Sequence, residues 1–312
     1  MPKPINQSRS GAPVLDPSAI KALAVDLDGT SLLPDNSMGE RTVRCLRRLI
    51  SGGIQVILCT GRAIEASRRY YDAAGAEGPM VFFNGAEVAE VPKVALISSN
   101  LMGLDVVDFG IDLARSMDAH FQIFLPPGGG AVGGESGWDR LLIDRPRPEA
   151  EMYRGHTGIT PEVCDLKKAI AAPGVTGCVK AMFIAESALL EEIRQKMTGR
   201  FGGGIYTARS FPTFLEIMNA GVSKGEGLKT VMKLRGLKPE ELIAFGDEEN
   251  DLPMFAAAGF SAAPSSAKEK VRQAADFVFG PNAEEGLAAF LEELFSIRYP
   301  PNQGLSPPNR CP

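Results

Sequence analysis

The sequence predicts an α/β fold, a doubly wound parallel sheet carrying an inserted α+β domain, on three observations. Short apolar runs that stop at polar residues alternate with amphipathic stretches over the first 86 positions, the alternation returns from 212, and the texture between is different. In the first stretch ALAVDLDG, IQVILCTGR and MVFFNGA read as strands, with the helical patterns RTVRCLRRLISGG and AIEASRRYYDAAG between them. Strands joined by crossover helices run parallel. From 212 onward KGEGLKTVMKLRG, LIAFGDEEND, LPMFAAAG, SAAP, AKEKVRQAA, FVFG and EEGLAAFLEELF repeat the scheme. Residues 19–86 and 212–297 are therefore expected to form one core domain.

Residues 87–211 read as the insert, because the strand patterns VKAMFIA, GIYTAR and TFLEIM alternate and are separated by the helical LDVVDFGIDLARSMDA and SALLEEIRQKMTG. The glycine run PPGGGAVGGESG could suggest a phosphate cradle, but no lysine-bearing helix follows it, so a flexible connection is expected. Residues 1–18 (MPKPINQSRSGAPVLDPS) have no apolar stretch and read as a disordered arm, a short transit peptide being the other reading. Residues 298–312, rich in Pro, Asn and Gly, read as a flexible tail.

Of the 312 residues 44 % are apolar, enough for a sizeable core without disulfides or a structural metal. The five cysteines are scattered and make no CxxC pair, which favours a reducing cytoplasm. Net charge is −5 and the basic residues are spread along helices, so neither nucleic acid nor a membrane is expected as a partner. A monomer or small homo-oligomer acting on a small molecule fits this composition.

In open α/β sheets ligands bind beyond the carboxyl ends of strands. Four such ends carry suitable groups. DLDGT places Asp26 and Asp28 on one side of the chain, with Leu27 pointing back to the core, and close carboxylates need a cation or a shared proton. In CTGR, Thr60 and Gly61 precede a helix that begins after Arg62, a place suited to phosphate, though Thr is also an ordinary cap. SKGEGL puts Lys224 at a helix entry. GDEENDLPM offers Asp247, Asn250 and Asp251, hard oxygen donors that suit Mg²⁺. Each segment alone could be a cap, a solvated lysine or an acidic turn. Their joint occurrence at successive strand ends is what points to a site.

DLDGT, TGR, SKGEGL and GDEENDLPM, in this order, resemble motifs I to IV of the haloacid dehalogenase superfamily of phosphatases. FFNGA followed by a long insert resembles the Cof-type branch with a C2B cap domain. The resemblance implies a Mg²⁺-dependent phosphatase of small phosphorylated metabolites, a sugar phosphate foremost. It makes Asp26 the nucleophile and Asp28 the general acid and base. Asp26, Asp247 and the Asp28 carbonyl would hold the metal, Lys224 would neutralise nucleophile and phosphate, and Leu27 N–H, Thr60, Gly61 N–H and Asn250 would hold phosphate oxygens. Asp251 would orient Lys224 or a metal-bound water, and Arg62 is a supporting residue.

Two departures stand out: Ser31 replaces a usually apolar residue, leaving the local packing in question, and Glu248-Glu249 add charge beside Asp247. Leaving-group contacts are expected from the insert, with Arg209, Ser210, Phe211 and His156 as candidates. His156 reads more readily as a solvated loop residue and His120 as a packed one. A phosphomutase would share these motifs, a metabolite sensor would not need a separate general acid, and a transport ATPase would want membrane helices and Thr in place of Asp28.

Overall fold

The computed structural model describes residues 15–126 and 138–299, so most of the expected terminal arm and tail, and nearly all of the glycine run, lie outside the described residues. From the amino end the chain forms β1 (Ala22–Val25), α1 (Glu40–Ser51), β2 (Gln55–Leu58), α2 (Ile64–Ala74), β3 (Gly78–Phe82), β4 (Glu87–Val91) and β5 (Ala95–Ser99). α1 shows why such segments fold: Thr42, Cys45, Leu46 and Leu49 recur at helical spacing and are its buried residues. α2 stops at Gly75, left-handed at φ 66°, a conformation glycine adopts without strain.

Next come α3 (Leu104–Ser116), β6 (His120–Leu125), β7 (Arg140–Ile143), α4 (Pro148–Thr157), β8 (Glu162–Val163), α5 (Leu166–Ile170), β9 (Lys180–Ile184), α6 (Ser187–Phe201), β10 (Ile205–Phe211) and β11 (Phe214–Asn219). The chain returns through α7 (Lys224–Arg235), β12 (Leu242–Phe245), α8 (Leu252–Phe255), β13 (Phe260–Pro264), α9 (Glu269–Ala274), β14 (Phe277–Phe279) and α10 (Gly286–Leu294).

β1 lies at the centre of a parallel sheet ordered β14-β13-β12-β1-β2, which β3 continues through the parallel Cys59–Val81 bridge. Every residue of β1 is buried, as a strand covered on both faces requires. The strand order turns around β1, so the carboxyl ends of β1, β2 and β12 border one crevice. A second sheet, β10-β11-β9-β6-β7-β8, is antiparallel except for its β7–β8 edge, and α3 and α6 cover one of its faces.

The strand pairing differs from the expected limits of the insert. β4 pairs antiparallel with β3, and β5 with β4, so both extend the core sheet, although their residues fall within 87–211. β11, expected in the core from 212, pairs with β9 and β10 instead. An alternating strand fits either sheet, and only its pairing partner decides which. We place the crossings near Asn100 and Asn219.

Candidate active site

The first loop after β1 is built around its acids. Asp26 donates its N–H to the Phe245 carbonyl at 3.0 Å, continuing the β1–β12 ladder. A wide turn over Leu27–Ser31 follows, closed by the Leu32 N–H on the Leu27 carbonyl at 2.9 Å. Leu27 is buried, as its place between the two acids required. Gly29 needs its missing side chain: φ is +75°, and a Cβ there would come within 2.2 Å of Asp247 Oδ2. Ser31 resolves the packing question by turning its hydroxyl inward to the Asp26 carbonyl at 2.7 Å.

Lys224 opens α7 and is 1 % exposed. Its ammonium bonds Asp26 Oδ1 and Asp251 Oδ1, both at 2.6 Å. The other oxygen of Asp251 accepts the N–H groups of Asp247 and Glu248 at 2.9 Å each, so this side chain ties the loop after β12 to the lysine. Asp247 accepts the Thr30 hydroxyl at 2.7 Å. A carboxylate oxygen from each of Asp26, Asp247 and Asp251 lies within 4.8 Å of the others.

Crowding sets the electrostatics. Burial raises the Asp26 carboxyl well above its ordinary value; Lys224 opposes that shift, while Asp251 and Asp247 add to it. Asp247 is pushed up to about 7, first by burial and then by the charge of Asp251. Burial works against the Lys224 ammonium, yet Asp251 and Asp26 outweigh it and hold its pKa above the usual lysine value. One lysine thus faces three acids, and the hard oxygens of Asp26 and Asp247 suit a divalent cation. Asp251 has already committed both oxygens to the lysine and the loop.

Across the crevice, Thr60 is fully buried at the end of β2, and its hydroxyl oxygen accepts the Arg62 N–H at 3.1 Å. Its own proton is therefore free for another acceptor. Arg62 does not face solvent: it is 9 % exposed and grips Asp28 with two bonds of 2.8 and 2.5 Å. Its third nitrogen, Nη1, is buried and has no protein partner. Asn250 donates to Asn84 Oδ1 at 2.9 Å, which leaves one of its amide protons uncommitted.

Asn84 had no assigned role. It holds a left-handed conformation (φ 56°), bonds Asn250, and lies against Gly61, where a Cβ would sit 3.0 Å from its Oδ1. The Asn-Gly pair after an apolar run signalled a turn, not its contacts. Glu248 and Glu249, the added acids, are paired with Lys268 at 2.7 Å and Lys270 at 2.5 Å.

Asp26, Asp28, Gly61, Arg62, Asn84, Lys224, Asp247 and Asn250 line a cavity of about 910 Å³ between the two sheets, and Leu27, Thr60 and Asp251 lie behind its wall. Its far wall contains Arg209, Phe211 and His156, among residues of the insert. Arg209 donates to Ser187 Oγ at 2.9 Å. His156 is no solvated loop residue: it lies in the last turn of α4 and packs edge-on against Phe211, ring centres 4.8 Å apart. Burial and the Arg62 charge lower its pKa. His120 is packed as expected, 2 % exposed with Nε2 at 3.0 Å from Gln122. The side chain of Ser210 lies outside the described part of the molecule.

The sequence model of the haloacid dehalogenase-like hydrolases matches residues 23–291. The chain belongs to that family. It is 29 % identical over 281 residues to the 5-amino-6-(5-phospho-D-ribitylamino)uracil phosphatase YitU of Bacillus subtilis, covering 88 % of this chain and 97 % of that one. It is 28 % identical over 236 residues to the HMP-PP phosphatase of Cronobacter sakazakii, covering 76 % and 80 %. Among solved structures, TM0651 of Thermotoga maritima superposes with a TM-score of 0.76 at 27 % identity over 90 % of this chain and 98 % of that one. A haloacid dehalogenase-like hydrolase of Bacteroides thetaiotaomicron, 24 % identical, shares the fold with a TM-score of 0.78 over 88 % of this chain and all of that one. The protein is accordingly an enzyme, a phosphoric monoester hydrolase of the Cof-type branch, and the second sheet is its cap. Among the described residues no helix is long and apolar enough to cross a membrane.

Proposed function

We propose that this hydrolase uses Mg²⁺ to remove phosphate from a small phosphorylated metabolite in the cytoplasm, a sugar phosphate foremost, through an aspartyl phosphate on Asp26. The observation that carries the reading is the arrangement of the two acids: Asp26 is buried and held by Lys224, whereas Asp28 is exposed to the same cavity and held by Arg62. Two carboxylates in such different surroundings suit two different tasks.

Asp26 attacks phosphorus with the oxygen not committed to Lys224, and the phosphorus–oxygen bond to the leaving group breaks. Asp28 gives that departing oxygen a proton, exchanging one Arg62 bond for the substrate. It then takes a proton from the water that attacks the aspartyl phosphate, which releases inorganic phosphate and restores Asp26. The Thr60 hydroxyl, the N–H groups of Leu27 and Gly61, the uncommitted Asn250 proton and Arg62 Nη1 bind phosphate oxygens. Mg²⁺, held by Asp26, Asp247 and the Asp28 carbonyl, would supply the positive charge that three crowded acids and a phosphate require.

The test is phosphate release from a panel of sugar, nucleotide and cofactor phosphates, with Mg²⁺ and after chelation. Chelation and Asp26→Asn each bring release to background, and Asp28→Asn lowers it by about 10²- to 10⁴-fold. Release that is indifferent to both substitutions would overturn the proposal.

A further inference from the structure

The underside of the cap sheet carries two charges where packing calls for none. Alternate residues of β9 and β11 face opposite ways: Met182, Ile184, Phe214 and Met218 join the apolar cluster of the core, whereas Phe183, Leu215 and Ile217 join the cluster beneath α3 and α6. Lys180 and Glu216 fall on the core-facing side, 2 % and 5 % exposed. Their ion pair measures 3.2 Å, Lys180 also donates to the Gly61 carbonyl at 3.4 Å, and its ammonium stands 5.3 Å from the ring centres of Phe83 and Phe124.

A buried ion pair of this kind seldom stabilises a fold more than apolar residues of the same volume would. This one is also loosely made. Lys224 holds its carboxylates at 2.6 Å, whereas both hydrogen bonds from Lys180 exceed 3 Å. Both members of the pair line the cavity that contains Asp26 and Asp28, with Tyr206 and Phe214 beside them. A donor and an acceptor side by side, flanked by aromatic faces, match neighbouring hydroxyls on a carbon chain: the carboxylate accepts from one, the ammonium donates to the next, and the C–H face packs on a ring.

We propose that Lys180 and Glu216 read the leaving group, and that the ester they select is polyhydroxylated, a sugar or alditol phosphate with hydroxyls close to the scissile oxygen. This rests on the phosphatase reading above and adds to it the residues that choose the substrate. The pair is carried by the cap and reaches Gly61 beside the phosphate loop, so recognition of the leaving group and cap closure are made by the same contact.

The experiment measures kcat/KM, with Mg²⁺, for the primary phosphates of glucose and ribitol and for acetyl phosphate and phenyl phosphate, in wild type, Glu216→Gln and Lys180→Met. Thermal unfolding establishes that each variant is folded, and Glu216→Gln keeps the shape of the side chain should Lys180→Met fail to fold. Wild type prefers a polyol phosphate, and each folded variant lowers the ratio of polyol to acetyl phosphate kcat/KM by about 10-fold or more, the loss of a hydrogen bond to a charged group. A wild type that prefers the esters without hydroxyls, or variants whose rates change in parallel on all four, overturn the inference while leaving the phosphatase reading in place. A wild type that releases phosphate from none of them, nor from the broader panel, overturns that reading and this one with it.

Discussion

Lys224 shows how much one residue can carry here. It is fully enclosed, and its ammonium alone bonds both Asp26 and Asp251. Lys224→Met is close in volume but leaves two buried carboxylates facing each other, a change that costs about 3–5 kcal/mol. It is expected to lower the unfolding free energy obtained from urea titration by that amount and to bring phosphate release to background. Because burial and crowding already raise the Asp26 carboxyl, loss of the ammonium raises it further, and the variant should take up more protons on folding at neutral pH than wild type does. Asp26, Asp28, Lys224 and Asp247 could be picked out in the sequence because polar groups at successive strand ends and a helix entry occur together, and the roles expected of them came from the resemblance of those motifs to a family. The grip of Arg62 on Asp28 and the bond from Asn250 to Asn84 were not, since a side chain's partner is chosen by segments 34 and 166 positions away.

At the scale of elements, the turn after β3 is what seats α7. Gly85 has φ +97°, and a Cβ there would lie 2.0 Å from the Ser223 carbonyl, one residue before Lys224. Ser223 in turn caps α7, its hydroxyl accepting the Glu226 N–H at 3.2 Å. Gly85→Ala therefore strains the turn and pushes the start of α7 away from the crevice; we expect a loss of roughly 1–3 kcal/mol in unfolding and a fall in kcat larger than the change in KM. A steady-state and thermal comparison with Gly221→Ala, left-handed too but with open space around its Cβ position, separates backbone strain from displacement of α7. The alternation of strands and helices in the core was legible because parallel strands buried on both faces are continuous apolar runs, as in ALAV and LIAF. The fate of β4, β5 and β11 was not, because alternation records that one face is buried without recording against which sheet. The short α4 and α5 also escaped notice, with few apolar residues each to mark a period.

For the whole molecule, the junction of cap and core holds a second pair of acids, away from the catalytic crevice. Glu87 on β4 is wholly buried and Asp139, just before β7, is 6 % exposed. Burial first, and then the charge of Asp139, lifts the Glu87 carboxyl well above its ordinary value. Asp139 is pushed up to about 7, chiefly by burial, with Glu87 and the Ile64 N–H beside it acting the other way. Such facing carboxyls are stable when they share a proton and repel when both are ionised. The folded protein thus keeps a proton that the unfolded chain gives up between 3.8 and about 7, so this pair's contribution to stability is full at the acid end of that window and is lost as pH rises through it. Asp139→Asn replaces the shared proton by an amide N–H that no pH in the range removes. The variant should come nearest to wild type at the acid end of that window, near pH 4, and gain on it by pH 8 by roughly 1–3 kcal/mol, the cost of leaving a buried acceptor unpaired. Thermal midpoints of the two proteins at both pH values check this. Because the crowded acids around Lys224 titrate alike in both proteins, only the difference between them reports on the junction, and a difference that does not change between the two pH values would remove the shared proton from the account.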